Sequence, residues 1–146
     1  MNETLEKPLT ASFETFLGYQ LRRLSAAAMA DLADALAEEG LSPTLATVLL
    51  IIETNPGETQ ARIGRALSIK RANIAPMIAK LEEEGLIRKS GTDGRSFALY
   101  CTAKGTATAR RAEKIMRARE RKVFGALTSE EMKLFLSMIE RARSAL

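Results

Sequence analysis

The stretch from Thr59 to Thr102 constrains the fold more than any other part of the chain. Thr59 opens a short helical segment with Ile63 and Leu67 on one side and Arg62 and Arg65 on the other. Three residues, Ser68–Lys70, separate it from a second segment, about Arg71–Glu84. There Ile74, Ile78 and Leu81 recur at spacings of four and three and form one apolar edge. Gly85 stops that helix. Two short alternating stretches follow at once, Leu86–Ser90 and Ser96–Cys101. Gly91-Thr92-Asp93-Gly94 joins them, and its Asp-Gly pair suits a tight hairpin turn. Neither the helices nor the hairpin can bury a face alone, so they must pack on one another. The layout is that of a winged helix-turn-helix.

Longer helical patterns flank this unit. Phe13–Glu39 reads as one long helix with a stripe of Leu17, Leu21, Leu24, Ala28, Leu32 and Ala35, and Gly40 ends it. Ser42 caps the next helix, with Pro43 in its first turn and Leu45, Val48, Leu49 and Ile52 as its apolar content, as far as about Thr54. Asn55-Pro56-Gly57 breaks it. Thr102 is placed to cap a further helix. The remainder to Leu146 is helical apart from a break at Gly125–Ser129, where Thr128 or Ser129 caps a last helix that has Glu130 and Glu131 in its first turn. The expected fold class is mainly α with a small β-hairpin wing (α+β). Residues 41–102 form the central unit, and residues 1–40 and 103–146 form a second, helical one.

Charge is unevenly spread. Residues 1–59 carry a balance of −6, residues 60–95 of +4 and residues 96–146 of +6, within a net charge of +4. A basic middle and end suggest a polyanionic partner, although solvated helix faces give a similar count. The chain has no histidine, the commonest general acid/base and metal ligand. It also lacks a metal-spaced cysteine cluster, a P-loop and a dinucleotide-binding glycine signature, so an enzyme, a metal site and a cofactor are not expected. No apolar run approaches the roughly 18 residues of a membrane span. The first ten residues have no apolar signal region, and the single cysteine, Cys101, fits a reducing compartment, so a cytoplasmic location is expected.

In a helix-turn-helix the second helix docks by its inner edge and offers its outer side to the major groove of a duplex. Lys70, Arg71, Asn73, Met77 and Lys80 lie away from the apolar edge, and Arg or Lys can read guanine while Asn reads adenine. Arg95, near the hairpin tip, is placed for a minor groove. The plain alternatives are a solvated helix face and an Asp93–Arg95 turn ion pair contributing about 0–1 kcal/mol. Glu82–Glu84 oppose phosphate contact, which suits a helix that enters the groove by its N-terminus.

Thr59-Gln60-Ala61-Arg62-Ile63-Gly64-Arg65-Ala66-Leu67 and Leu81-Glu82-Glu83-Glu84-Gly85-Leu86-Ile87-Arg88 resemble the MarR family of multiple-antibiotic-resistance-type regulators. So does the wing, where Asp93-Gly94-Arg95 precedes Leu99 and Cys101-Thr102-Ala103-Lys104-Gly105, against a family pattern of Asp-x-Arg followed by Leu-Thr-x-x-Gly. The likeness of layout covers nearly the whole chain. It implies a homodimer on a pseudo-palindromic operator, usually a repressor released by a small ligand or an oxidant, with residues 1–40 and 103–146 as the dimerisation domain. It further implies that Arg95 is the minor-groove arginine and Asp93 the acid that holds it. Arg71, Asn73, Pro76 and Lys80 fall at recognition-helix positions, and Gln60 and Arg88 in the matched segments complete the set. Two departures stand out. Cys101 replaces the usual Leu, and Pro76 lies inside the recognition helix, where it is expected either to kink the helix or loosen its first turn, or to present its ring to a thymine methyl; in both cases a base-reading side chain is lost.

Two further features have alternative readings. Cys101 alternates with Leu99 and so points inward as a buried thiol; a redox sensor requires exposure and a lowered pKa instead. Phe13, Phe16, Tyr19, Arg22 and Arg23 crowd one end of the first helix, either as dimer-interface packing or as a site for an aromatic carboxylate or its thioester. The rival to a DNA-binding regulator is a winged-helix module whose basic surface meets an acidic protein partner.

Overall fold

The computed structural model describes residues 9–91 and 97–145. Its elements run α1 (Leu17–Leu36), a 3-10 turn (Ala37–Glu39), α2 (Pro43–Thr54), α3 (Gln60–Ala66), α4 (Arg71–Glu83), β1 (Ile87–Ser90), β2 (Ala98–Cys101), α5 (Ala103–Phe124) and α6 (Ser129–Arg143). The start signals act as the residue types dictate. Ser42 accepts from the Leu45 N–H at 3.2 Å and Pro43 takes the first turn of α2. Thr128, not Ser129, caps α6. Its side chain accepts from the Glu131 N–H while the Glu131 carboxylate accepts from the Thr128 N–H, a reciprocal box that holds the Glu131 pKa below its ordinary value.

Two expectations about helices are corrected. The opening helix does not begin at Phe13. Leu9–Thr15 is a series of turns in which the Glu14 carboxylate accepts from Thr10 and Gln20, and the extended backbone of Phe16 forms the N-cap. Pro76 does not loosen the first turn of α4, since Asn73 and Ile74 N–H groups both reach the Lys70 carbonyl (2.9 and 3.1 Å), and the helix continues to Glu83. Pro76 and Ala72 are both exposed, so the ring and the carbonyl it leaves without a donor face solvent rather than core.

One core links the elements. Leu36 of α1, Leu49 and Ile52 of α2, Ile63 of α3, Ile74, Ile78 and Leu81 of α4 and Leu99 of β2 are fully buried, joined by Ala109 and Ala112 of α5. α2 is the central rod, packed against α1, α4, α5 and β2. The hairpin pairs Ile87 with Cys101, Arg88 with Tyr100, Lys89 with Leu99 and Ser90 with Ala98. A third segment joins it: Gly57 N–H donates to the Leu99 carbonyl at 2.8 Å, Leu99 N–H donates to Glu58 at 2.9 Å, and Thr59 bridges Ala98. Among the described residues no single helix is long and apolar enough to cross a membrane.

The tightest junction lies where α4, β1 and α5 meet. Gly85 turns the chain with φ +69°, a conformation that favours glycine. Thr102 then closes the corner. Its N–H donates to the Leu86 carbonyl (3.0 Å), its hydroxyl donates to the Gly85 carbonyl (2.7 Å), and it caps α5 by accepting from Gly105 N–H (3.0 Å). Gly105 sits so close that a Cβ there would stand 1.8 Å from the Leu86 oxygen.

Cys101 is half-buried, with its thiol 3.9 Å from the Leu49 carbonyl. Burial, with the neighbouring Glu53 carboxylate adding to it, pushes the thiol up to about 12. It therefore stays protonated near neutral pH, as an inward structural thiol does.

Two outcomes are expected. Gly105→Ala lowers the free energy of unfolding by about 3 kcal/mol, because backbone must move to admit the methyl group; urea denaturation measures it, and unchanged stability contradicts the packing described. Iodoacetamide at pH 8 modifies native Cys101 at least about a hundredfold more slowly than the same chain in urea, where an ordinary thiol pKa applies. The raised pKa also means that stability falls as pH rises from about 9 toward 12, since the unfolded chain releases its proton first.

Candidate nucleic-acid interface

α4 stands with its buried edge in the core and its other sides in solvent. Arg71, Asn73, Pro76 and Lys80 are all exposed, and Lys70 is exposed at the N-cap. These five candidates thus share one accessible helix. Gln60, the first residue of α3, is half-buried and lines the groove between α3, α4 and the hairpin. Thr59 caps α3 by accepting from the Arg62 N–H. Met77 is a correction: adjacent to Ile78 and three residues from Ile74, it packs half-buried against the core and does not join the outer face. Asp93 and Arg95 lie outside the described residues.

The strands divide their charges by face. Arg88 is exposed and its guanidinium lies 4.6 Å from the ring centroid of Tyr100, its cross-strand partner. Lys89 points to the opposite side, into the same groove as Gln60. That groove, about 560 Å³, is also lined by Arg65, Arg71, Ile74 and Phe97. The sequence sets Arg65 outward, though not as a site residue, and singles out neither Lys89 nor Phe97; the strand period of two, which sets Lys89 with Ile87 rather than with Arg88, is the signal available for Lys89.

Carboxylates temper the C-terminal half of this surface. Lys89 meets Glu82 at 2.6 Å and Lys80 meets Glu84 at 3.8 Å, while Arg62 meets Glu58 at 2.9 Å on α3. As exposed pairs each contributes about 0–1 kcal/mol, so they bias rather than lock their cations. Lys104 donates to the Glu84 carbonyl at 2.7 Å and so satisfies one end group of α4. The more open cations therefore gather toward the N-terminal end of α4.

The aromatic cluster lies on the turns before α1 and on its first residues. Phe13 stands 5.8 Å from Phe16 and 5.8 Å from Tyr19, and the Arg22 and Arg23 guanidinium groups lie 5.4 and 5.6 Å from the Tyr19 ring. Glu14 occupies Arg23 at 3.2 Å, and hydrogen bonds from Gln20 and Thr10, with the Arg23 charge, hold its carboxyl below the usual pKa. Phe13 and Phe16 are 48% and 58% exposed, so in a single chain the cluster is an open surface. Leu17, Leu21 and Leu24 of α1 are exposed too, as are Leu134, Leu136, Met138 and Ile139 of α6, a helix with no buried residue. Asp31 of α1 is bound by Lys122 and Arg119 of α5; the Lys122 hydrogen bond is the main cause that lowers its pKa.

The comparisons agree with this geometry. Residues 41–97 match the family model described as MarR family. The chain is 32% identical over 130 residues to the HTH-type transcriptional repressor Rv2887 of Mycobacterium tuberculosis, an alignment covering 88% of this chain and 94% of that protein. Its fold is similar to that of the transcriptional repressor CouR bound to a 23-mer DNA duplex, with a TM-score of 0.85, 31% identity and coverage of 94% of this chain and 99% of that one. CouR bound to p-coumaroyl-CoA is similar at a TM-score of 0.81 and 30% identity, covering 94% and 97%. With the helix-turn-helix, the hairpin and the flanking helices all present, the chain belongs to the MarR family of transcriptional regulators.

Proposed function

We propose that the chain is a homodimeric, sequence-specific DNA-binding repressor released by a small aromatic acid or its thioester, and that it has no catalytic role. The observation that carries this reading is the exposed side of α4, with cations toward its N-terminal end, on a chain similar over 94% of its length to a repressor solved on a duplex. Residues 41–102 read the DNA. Lys70, Arg71, Asn73, Pro76 and Lys80 enter a major groove; Gln60 and Arg88 contact the backbone; Asp93 and Arg95 serve the minor groove.

Residues 1–40 and 103–146 dimerise. The support is the exposed apolar set on α1 and α6, which is too extensive to leave in water and is matched by no cover within the described chain. The aromatic cluster at Phe13, Phe16, Tyr19, Arg22 and Arg23 receives the effector's ring and carboxylate at the edge of that interface. CouR, solved with an aromatic acyl thioester, supports that ligand class. A cytoplasmic site of action follows from the DNA-binding role.

The protein should retard and protect a palindromic fragment from beside its own gene, with affinity falling steeply as salt rises. Arg71→Ala and Asn73→Ala should each weaken binding by about 1–3 kcal/mol, the range for one base-reading pair, without lowering the melting temperature. Aromatic acids or thioesters added to the complex should release it. No duplex binding at low salt contradicts the reading. Separately, Leu134→Glu with Ile139→Glu should convert the dimer to a monomer in analytical ultracentrifugation while the helical circular dichroism of the winged unit persists; a dimer that survives the double change places the interface elsewhere.

A further inference from the structure

The side of α4 farthest from Ile74, Ile78 and Leu81 is formed by Ala72, Pro76 and Ala79, four and seven residues along from the first, with Glu83 closing the same row at the helix end, and all four are exposed. None of the first three carries a side-chain hydrogen-bond donor or acceptor, and the one carboxylate of the row stands at the C-terminal end. Arg71 lies to one side of this ridge, with Asn73 and Lys80 to the other. Toward the C-terminal end the cations are engaged, Lys80 by Glu84 and Lys89 by Glu82. A helix so built, entering by its N-terminus, meets the groove floor with carbon over its first turns, with polar groups at its edges and Glu83 at the trailing end. The apolar group that base pairs display in a major groove is the C5-methyl of thymine.

We propose that α4 recognises its operator through thymine methyl groups seated on the Pro76 ring and the flanking Ala72 and Ala79 methyls, with Arg71 and Asn73 supplying hydrogen-bonded readout at the leading end. This rests on the DNA-binding reading above. Pro76 is the specificity-determining residue of the ridge. Its ring is the largest apolar body there and is rigid, so it fixes where along the half-site a methyl is required. The missing N–H costs the helix one hydrogen bond, on the side where the Ala72 carbonyl can turn to water.

The test uses the full-length protein and the operator mapped by footprinting, with each half-site thymine replaced singly by deoxyuridine, which removes the methyl and leaves the pairing intact. Affinity should drop about fourfold per seated methyl, the factor expected for burying one such group. The slope of affinity against salt should stay the same, because no phosphate contact changes. Pro76→Ala, which removes an unfavourable helix-interior proline and so should fold, should bring the deoxyuridine penalty at one thymine close to unity. Deoxyuridine duplexes that all bind as the native operator does overturn the inference and leave the regulator intact. Penalties that persist unaltered in Pro76→Ala overturn it equally. Failure to bind the unmodified operator removes the DNA-binding reading itself.

Discussion

The carbonyl of Leu86 is the point on which the arrangement of the molecule turns. The Thr102 N–H donates to it, the Thr102 hydroxyl holds the carbonyl just before it, and Gly105 lies against it with no room for a side chain. That corner joins the end of the recognition helix, the start of the wing and the start of the long helix leading to α6. The relative attitude of three elements is therefore set by a few backbone contacts rather than by long side chains, which have several rotamers to choose from. Lys104 adds a fourth tie, to the Glu84 carbonyl at the end of α4. A motion passed from α5 to α4 has to travel through this joint, and with backbone groups on both sides the joint is stiff.

Stiffness there contrasts with the charge distribution around it. α1 and α5 are held by Asp31 to Lys122 and Arg119, and the 3-10 turn is tied to α5 by Glu39 and Arg111 at 2.9 Å. These are surface pairs, weakened by salt and individually modest. The core fixes the centre of the molecule, whereas its periphery is adjusted by ions. The Arg23–Glu14 pair beside Tyr19 belongs to that adjustable part.

Much of this was legible in the residues. Ser42-Pro43, Thr102 and Thr128 mark helix starts because their oxygens and the proline ring satisfy the first turn whatever lies around them. The Ile74, Ile78 and Leu81 edge is a periodicity that only one docking can bury. The parts that were not legible depend on tertiary partners. Met77 sits next to the apolar edge of α4, and only the shape of the core decides that it leans inward. The turns before Phe16 follow from a local network around Glu14 that competes with helix formation. Pro76 reads as loosening the first turn of its helix, but the exposed side of α4 tolerates the ring and the first-turn bonds form. The bridge from Glu58 and Thr59 to the wing has no periodic signal at all, since two residues of pairing show no alternation.

That bridge has a mechanical consequence. Leu99 is gripped from both directions by the strip that follows α2, its amide by Glu58 and its carbonyl by Gly57. The described strands of the hairpin are thus tied at Leu99 to the end of α2. Tilting them relative to α4 means either dragging the end of the central rod along or breaking two backbone hydrogen bonds at once, so the spacing between α4 and the strands behaves as a single mechanical coordinate governed by where α2 lies.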